Sequence, residues 1–297
     1  MWPHRHDGVA RPDRSLVVRT AVISDIHANL EALRVVLDHI DTQKVDRIIC
    51  LGDILGYGPN PVECVDLVAQ RCDWSLMGNH DFGALYEPTN FNQAAEQAAY
   101  WTRAQFEAEP DQAKAAKRWE FLGRLRVRVS FGDFLCVHGS PRRPINEYLF
   151  PEDAINSPVK MQQIFERVDK FCLVGHTHVP GVFTNEPDFY PPDDLQGVYK
   201  LGENDKAIIN PGSVGQPRDL DPRSSFAILD DGAGAEFMRI PSVNGGGATS
   251  PKGPNPSLNT PHIEFFRLEY DINAVVEKIH AIPQLSDWLG ERLKEGR

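Results

Sequence analysis

Five short apolar segments are each followed by histidine, aspartate or asparagine, and this repeated feature most limits what the chain can fold into. The segments and the residues after them are AVIS before Asp25 and His27, RIICLG before Asp53, WSLMG before Asn79 and His80, FLCV before His138, and FCLVG before His176 and His178. In open α/β sheets, ligands bind at the carboxyl ends of strands. We therefore expect the segments to be strands that bring these side chains to one edge of a sheet.

The first part of the chain alternates strand-like and helix-like patterns. Runs rich in β-branched residues predict strands at 16–24, 45–51 and 74–77, and apolar residues at helical spacing predict helices at 30–40 and 61–70. Alternation at this spacing predicts βαβ units and a parallel sheet.

The rest of the chain predicts more strands, which we expect to be largely antiparallel. Residues 92–125 predict helices interrupted near Pro110, and Gly132 and Asp133 predict the turn of a hairpin. The other predicted elements are helices at 161–168, 272–281 and 284–295, and strands at 171–174, 180–184, 197–201, 206–210, 224–230, 235–240 and from 263.

The predicted domain organisation is simple. Residues 1–15 are expected to be a flexible tail, and residues 16–297 one domain with a helical insertion at 92–125. The segment 241–261 has few apolar residues and predicts a flexible loop within a hairpin.

The composition excludes several classes of protein. The 31 Lys and Arg against 42 Asp and Glu give a net charge of −11, which disfavours binding of long nucleic acids through a basic surface. The sequence contains no apolar run of the ~18 residues that a membrane span needs, and its beginning lacks the apolar stretch of a signal peptide. We therefore expect a cytoplasmic protein without a membrane partner; a protein partner stays open.

The polar residues after the strands have the composition of a transition-metal site. Two carboxylates, four imidazoles and an amide suit Mn, Fe, Zn, Co or Ni better than Ca or Mg. The set exceeds the needs of one tetrahedral ion and fits two ions that share a bridging carboxylate. Its members are Asp25, His27, Asp53, Asn79, His138, His176 and His178.

The order of these motifs resembles a known family. D-x-H, G-D, G-N-H-D, V-H-G and G-H-T-H follow one another as in the calcineurin-like metallophosphoesterase superfamily. The longer strings LGDILGYGPNP, VHGSP, GHTHVP and NPGSVGQPRD are similar to those of a bacterial branch of small phosphoesterases and phosphodiesterases. The resemblance implies an α/β fold, a four-layer αββα sandwich of two mixed β-sheets flanked by helices, with a dimetal site at the sheet rim.

The resemblance also implies a role for each residue. One metal ion is expected on Asp25, His27 and His178, the other on Asn79, His138 and His176, with Asp53 as the bridge. A hydroxide that bridges the metals is the expected nucleophile, and His80 is expected to give a proton to the leaving group. Manganese is the favoured metal, with Fe, Zn, Co or Ni as alternatives.

Substrate class and substrate contacts stay open. The resemblance favours hydrolysis of a small phosphodiester or nucleotide, followed by a phosphomonoester or phosphoprotein. Arg142 and Arg218 either reach a phosphate or form ordinary ion pairs, and Asp81 either contributes to substrate binding or orients His80. Gly212 and Ser213 form either a tight turn or a phosphate-binding nest.

A function from another class is a non-catalytic scaffold on the same fold. The complete ligand set and His80 distinguish the two, because a scaffold has no chemical need for them.

Overall fold

The fold is described by a computed structural model over residues 18–186, 188–232 and 260–297. The predicted tail at 1–15, the predicted strand at 235–240 and all but the last two residues of the predicted loop at 241–261 lie outside this part of the chain.

The strands are short and numerous. They are β1 (Arg19–Ile23), β2 (Arg47–Cys50), β3 (Trp74–Ser75), β4 (Arg128–Phe131), β5 (Phe134–Val137), β6 (Phe171–Leu173), β7 (Gly181–Thr184), β8 (Phe189–Tyr190), β9 (Val198–Lys200), β10 (Ala207–Asn210), β11 (Ser224–Asp230) and β12 (His262–Leu268).

The helices lie between and after these strands. They are α1 (Leu30–Thr42), α2 (Pro61–Arg71), α3 (Asn79–Leu85), α4 (Gln93–Glu107), α5 (Gln112–Gly123), α6 (Asp153–Asn156), α7 (Pro158–Phe165), α8 (Ile272–His280), α9 (Asp287–Glu291) and a 3₁₀ helix (Arg292–Glu295). No helix of the described residues is long and apolar enough to span a bilayer.

The strands form two mixed sheets of six strands each. One has the order β3-β2-β1-β11-β12-β9 and the other the order β4-β5-β6-β10-β7-β8. In the first sheet β2 pairs in parallel with both β1 and β3. In the second sheet β5, β6 and β10 are parallel to one another. The expectation of a largely antiparallel second half is therefore wrong for the centre of the second sheet.

Alternating side chains place the two sheets face to face. Ile49 in β2 and Cys136 in β5 belong to one buried apolar core shared by both sheets. Ile48 and Cys50, the neighbours of Ile49, instead pack with helices α1 and α2. Leu135 packs with α7 on the far side of the second sheet. Because successive side chains of a strand point to opposite faces, this pattern yields helix, sheet, sheet and helix layers, and it confirms the predicted sandwich.

Capping residues explain where several helices begin. The Asn29 side chain accepts a hydrogen bond of 3.1 Å from the amide of Ala32 at the start of α1. Asp111 caps α5 directly after Pro110, and so the predicted helical segment 92–125 is divided into α4 and α5. The last predicted helix is shorter than expected, because it ends in the 3₁₀ helix. Short α3 and α6 and two-residue β8 leave too little periodicity for prediction.

The core between the sheets generates a stability prediction. Ile49→Ala removes a fully buried side chain from this core, and we expect the free energy of unfolding to fall by about 2–5 kcal/mol. Urea unfolding followed by circular dichroism measures the change. The matched control is Ile155→Ala, since Ile155 is 76% exposed and its loss should cost under about 0.5 kcal/mol. Equal effects of the two substitutions would contradict the assignment of Ile49 to the core.

Candidate metal centre

The carboxyl ends of the central parallel strands carry the predicted site residues to one edge. The loops after β1 and β2 are joined by backbone hydrogen bonds of 3.0 Å from the Asp25 amide to the Gly52 carbonyl and from the His27 amide to the Asp53 carbonyl. In the second sheet, the Gly175 amide donates to the His138 carbonyl at 2.8 Å. The loops are thus fixed to one another before any side chain is considered.

The side chains on these loops form two groups that share one carboxylate. The potential ligand atoms lie within 4.8 Å of one another in each group. The amide oxygen of Asn79 is 3.3 Å from His138 Nε2. All seven predicted metal ligands are therefore close together. The first group is Asp25, His27, Asp53 and His178; the second is Asp53, His138 and His176.

In the first group, His27 and His178 face each other through unprotonated nitrogens. His27 Nδ1 lies 3.0 Å from the Leu55 carbonyl and His178 Nδ1 lies 2.6 Å from the Gln216 carbonyl. A carbonyl only accepts, so each Nδ1 carries the proton and, in the neutral ring, each Nε2 carries a lone pair. The two Nε2 atoms are nevertheless only 3.0 Å apart.

A cation resolves this repulsion between lone pairs. Two nitrogens bound at right angles to one ion at about 2.1 Å are about 3.0 Å apart. The carboxylate of Asp25 adds negative charge to this group, since its Oδ1 lies 3.3 Å from His178 Nε2. The donor set of the first group therefore fits a divalent transition-metal ion.

The second group repeats this arrangement around the shared carboxylate. His138 Nδ1 donates to the Leu51 carbonyl at 2.9 Å, and its Nε2 is 3.3 Å from Asp53 Oδ2. His176 Nε2 is buried and has no hydrogen-bond partner among the described residues, and Asp53 Oδ2 is buried and forms no hydrogen bond there beyond its contact with His138. Buried polar atoms almost always have a partner, so we infer that these atoms bind a ligand.

Burial and neighbouring charges set the protonation of the cluster. Burial and the adjacent His178 hold the pKa of His27 well below its usual value of 6.5. Burial lowers the pKa of His176 to about 3. Burial would also lower the pKa of His138, but the carboxylate of Asp53 outweighs it and raises the pKa to about 9. Since His138 Nε2 faces Asp53, a proton there and a metal ion compete for the same position.

The backbone of the site is strained. Residues outside glycine rarely adopt positive φ, and each such residue costs about 1–3 kcal/mol. Such strain persists where surrounding structure enforces it, typically at functional sites. Five of the predicted ligands have this conformation: Asp25 at 53°, His27 at 49°, Asp53 at 52°, His176 at 66° and His178 at 65°.

Close packing of Gly78 on Asp53 explains one of the glycines in the motifs. A Cβ atom at Gly78 would collide with the Asp53 carboxylate. Gly78 therefore allows the turn before Asn79 to approach the shared carboxylate, and any side chain there would push the two apart.

His80 lies beside the cluster in an aromatic enclosure. Its amide donates to Asp53 Oδ1 at 2.8 Å. Its ring centroid is 4.3 Å from that of Tyr57, 4.6 Å from that of Phe91 and 4.9 Å from that of His27. His80 Nδ1 has no hydrogen-bond partner in the described part of the chain. Burial lowers the pKa of His80 to about 4, although the Asp53 carboxylate opposes this effect.

Asp81 connects two loops through its carboxylate. Its Oδ1 accepts a 3.0 Å hydrogen bond from the Leu55 amide, and its Oδ2 accepts one of 3.0 Å from the Gly78 amide. Burial, with the nearby charge of Asp53, raises the pKa of Asp81 to about 7. Both oxygens of this buried carboxyl group are occupied by backbone amides, which favours the positioning alternative for Asp81 over substrate binding.

The two predicted arginines have different surroundings. Arg142 forms an ion pair with Glu147 and a hydrogen bond with Gln163, so the structure favours the ion-pair alternative over phosphate binding. The Arg218 amide donates to the His178 carbonyl at 3.3 Å, and its guanidinium carbon is 5.9 Å from the centre of the Tyr57 ring. Arg218 thus lies at the metal centre, whereas the Arg142 guanidinium is already paired.

Ser213 supports the site through the backbone. Its hydroxyl donates to the Asp25 carbonyl at 2.7 Å, which favours the turn interpretation of the Gly212–Ser213 segment.

Sequence reasoning missed two aromatic contacts of the site. Tyr148 stacks on His176 with ring centroids 3.7 Å apart and planes 21° apart. Tyr57 contacts the His27 ring, with ring centroids 4.8 Å apart. Tyr148 lies in none of the quoted motifs and Tyr57 lies in LGDILGYGPNP, where nothing marks it as a contact of the ligands, so only the folded loops show both positions.

The geometry agrees with the comparison to known families. The family model for the calcineurin-like phosphoesterase superfamily domain matches residues 18–233. The chain belongs to this superfamily of phosphoester hydrolases, as the order of the motifs indicates.

Relatives match almost the whole chain. An uncharacterized protein of Methanocaldococcus jannaschii is 36% identical over 284 residues, which cover 93% of this chain and 98% of that protein. A metallophosphoesterase from Sphaerobacter thermophilus has a crystal structure with 35% identity and a TM-score of 0.72, over 95% of this chain and 100% of that chain. A hypothetical protein from Pyrococcus horikoshii, 17% identical with a TM-score of 0.64 over 94% of this chain and 99% of that chain, shares the fold.

The shared carboxylate generates a prediction about metal content. Asp53→Asn replaces a charged oxygen that serves both groups by a neutral amide. We expect metal content to fall from about two ions per chain to below about one, measured by mass spectrometry after loading with manganese and desalting. The control is Asp133→Asn, whose side chain is 58% exposed and paired with Lys170. Unchanged metal content in Asp53→Asn would contradict the bridging position.

Proposed function

We propose that the chain hydrolyses phosphate esters with two divalent metal ions and that its substrate is a small phosphodiester or a nucleotide. The observation that carries the proposal is the pair of bare Nε2 atoms of His27 and His178, 3.0 Å apart beside the buried carboxylate of Asp53, whose Oδ2 lies 3.7 Å from His27 Nε2. Phosphomonoesters, including phosphoproteins, rank second.

Each side chain has a place in this proposal. Bound metal ions supply positive charge for the phosphate and activate water near neutral pH. Manganese is our preferred metal, since the donors mix carboxylate, amide and imidazole groups. The first group would hold one ion and the second group the other, with Asn79 as a further ligand of the second and Asp53 common to both.

His80 is the proposed proton donor to the leaving group. The ring is fixed by Tyr57 and Phe91, and its Nδ1 has no partner among the described residues. With a pKa of about 4, the free ring is neutral at pH 7. A bound phosphate adds negative charge nearby and raises that pKa, which favours the protonated ring that the leaving group needs.

The strained backbone of the site and its buried unpaired atoms favour catalysis over the scaffold alternative. Five ligands at positive φ and several buried unpaired atoms cost stability in the protein without ligand. A scaffold gains nothing from this cost. An enzyme gains a set of ligands that is already in place when the substrate binds.

The proposal is tested with two chromogenic substrates. We expect the protein to hydrolyse bis(4-nitrophenyl) phosphate and, more slowly, 4-nitrophenyl phosphate, with a rate that rises with added manganese and falls to background with a chelator. Bound metal without turnover of either ester would favour the scaffold. A faster reaction with the monoester would reverse the order of the proposed substrates.

The role of His80 generates a separate prediction. His80→Ala removes the proton donor, and we expect hydrolysis of esters with poor leaving groups to slow by about 10²-fold or more, and that of 4-nitrophenyl esters much less. Rates across a series of phenyl esters, with metal content measured in parallel, give the comparison.

The control for this variant is His280→Ala, because that side chain is 39% exposed and paired with Glu291. Equal slowing for good and poor leaving groups at unchanged metal content would exclude proton donation by His80.

A further inference from the structure

The four histidines of the two ligand groups are not fixed in the same way. His27, His138 and His178 each have Nδ1 within 3.0 Å of a backbone carbonyl, which sets the position of the proton and turns Nε2 toward the cluster. The ring of His176 forms no hydrogen bond with any described residue. His176 therefore lacks the contact that orients the other three rings.

A stacked aromatic ring takes the place of that contact. The Tyr148 ring lies over His176 with centroids 3.7 Å apart and planes 21° apart. By comparison, the Tyr57 ring meets His27 at 4.8 Å and an angle of 54°. A parallel ring in van der Waals contact keeps the imidazole from turning about its Cβ–Cγ bond, and an aromatic pair contributes about as much as a neutral hydrogen bond.

The backbone of Tyr148 is fixed relative to that of His176. Oγ1 of Thr177, the next residue after His176, accepts a hydrogen bond of 3.2 Å from the Leu149 amide and donates one of 2.9 Å to the Leu149 carbonyl. The Tyr148 carbonyl accepts a hydrogen bond of 2.8 Å from Lys160 Nζ. None of these bonds uses a metal-ligand atom, so they hold the tyrosine ring against His176 before an ion binds.

The segment that ends beside Tyr148 begins at the other histidine of the second group. Residues 139–149 follow His138 directly, and the ion pair of Arg142 with Glu147 closes this loop. The end of the segment is joined to the loop of His176 through the hydrogen bonds just described. The segment therefore connects the two histidines that would bind the second ion.

We propose that Tyr148 is a positioning residue for the metal ion of the second group: its ring holds His176 with the buried Nε2 directed at the ion. Loss of this ring weakens binding of the second ion and leaves the ion of the first group in place. The inference rests on the two-ion site of the proposed function and deepens it, because the two ions then differ in what orients their ligands.

Calorimetric titration of manganese into the metal-free protein tests this role. We expect two binding steps in the unaltered protein. Tyr148→Leu keeps an apolar side chain and removes the ring. The affinity of one step should then fall about 10- to 100-fold, the usual range for groups that orient metal-binding histidines, and that of the other should change less than about twofold.

Two ligand variants identify the weakened step. Asn79→Ala removes a proposed ligand of the second ion, and His27→Ala removes one of the first. The step that Tyr148→Leu weakens should be the step that Asn79→Ala weakens. Weakening of the step that His27→Ala affects, or equal weakening of both steps, would overturn the proposal.

Further variants separate stacking from other effects. Tyr148→Phe retains the ring and should bind both ions like the unaltered protein, whereas a loss equal to that of Tyr148→Leu would assign the effect to the hydroxyl and overturn the stacking role. Tyr148→Met, whose flexible side chain fills irregular space, replaces Tyr148→Leu if the leucine variant does not fold. The control is Tyr190→Leu, since Tyr190 is 36% exposed on the edge strand β8, and both of its affinities should stay unchanged.

This measurement needs no turnover. The expected loss of manganese affinity in a protein that hydrolyses no ester would refute the proposed function and retain the role of Tyr148. Hydrolysis together with unchanged manganese affinity in Tyr148→Leu would do the reverse.

Discussion

The arrangement of this structure depends on a set of buried ligand atoms, most of them hydrogen-bond acceptors, that face one another. His27 and His178 are fixed by backbone carbonyls, so their unprotonated nitrogens cannot turn away from each other. Asp53 stands between them and His138. In an interior of low dielectric constant such a set is unfavourable by itself and favourable around cations. The folded protein therefore contains an unfavourable electrostatic arrangement that a bound cation would relieve.

The free energy of apolar packing in the cores offsets the unfavourable electrostatics of the site. Apolar residues between the sheets and under the helices hold the strand ends in place, and backbone hydrogen bonds join the loops. Strained residues such as Asp25 and Asp53 then remain at positive φ. A ligand that binds only the folded state increases the free energy of unfolding, because it shifts the folding equilibrium by mass action.

Much of the site was accessible from sequence because its residues lie directly after apolar segments. Asp25, Asp53 and His138 each follow a strand that the β-branched or apolar pattern already predicts. The same logic could not find Tyr148, which reaches His176 from a loop through long-range packing. It also could not decide between roles for Arg142 and Asp81, since Glu147 and the Leu55 and Gly78 amides become their partners only in the folded chain. Parallel pairing of β6 with β10 likewise depends on a crossover that local patterns do not contain.

The most direct test is a crystal structure of the protein soaked in manganese, with anomalous scattering recorded to locate the ions. The account expects two anomalous peaks, one between His27 and His178 and the other beside His138 and His176, with the Asp53 carboxylate touching both. The absence of anomalous peaks at these residues, in a crystal structure whose side chains keep the same positions, would contradict it.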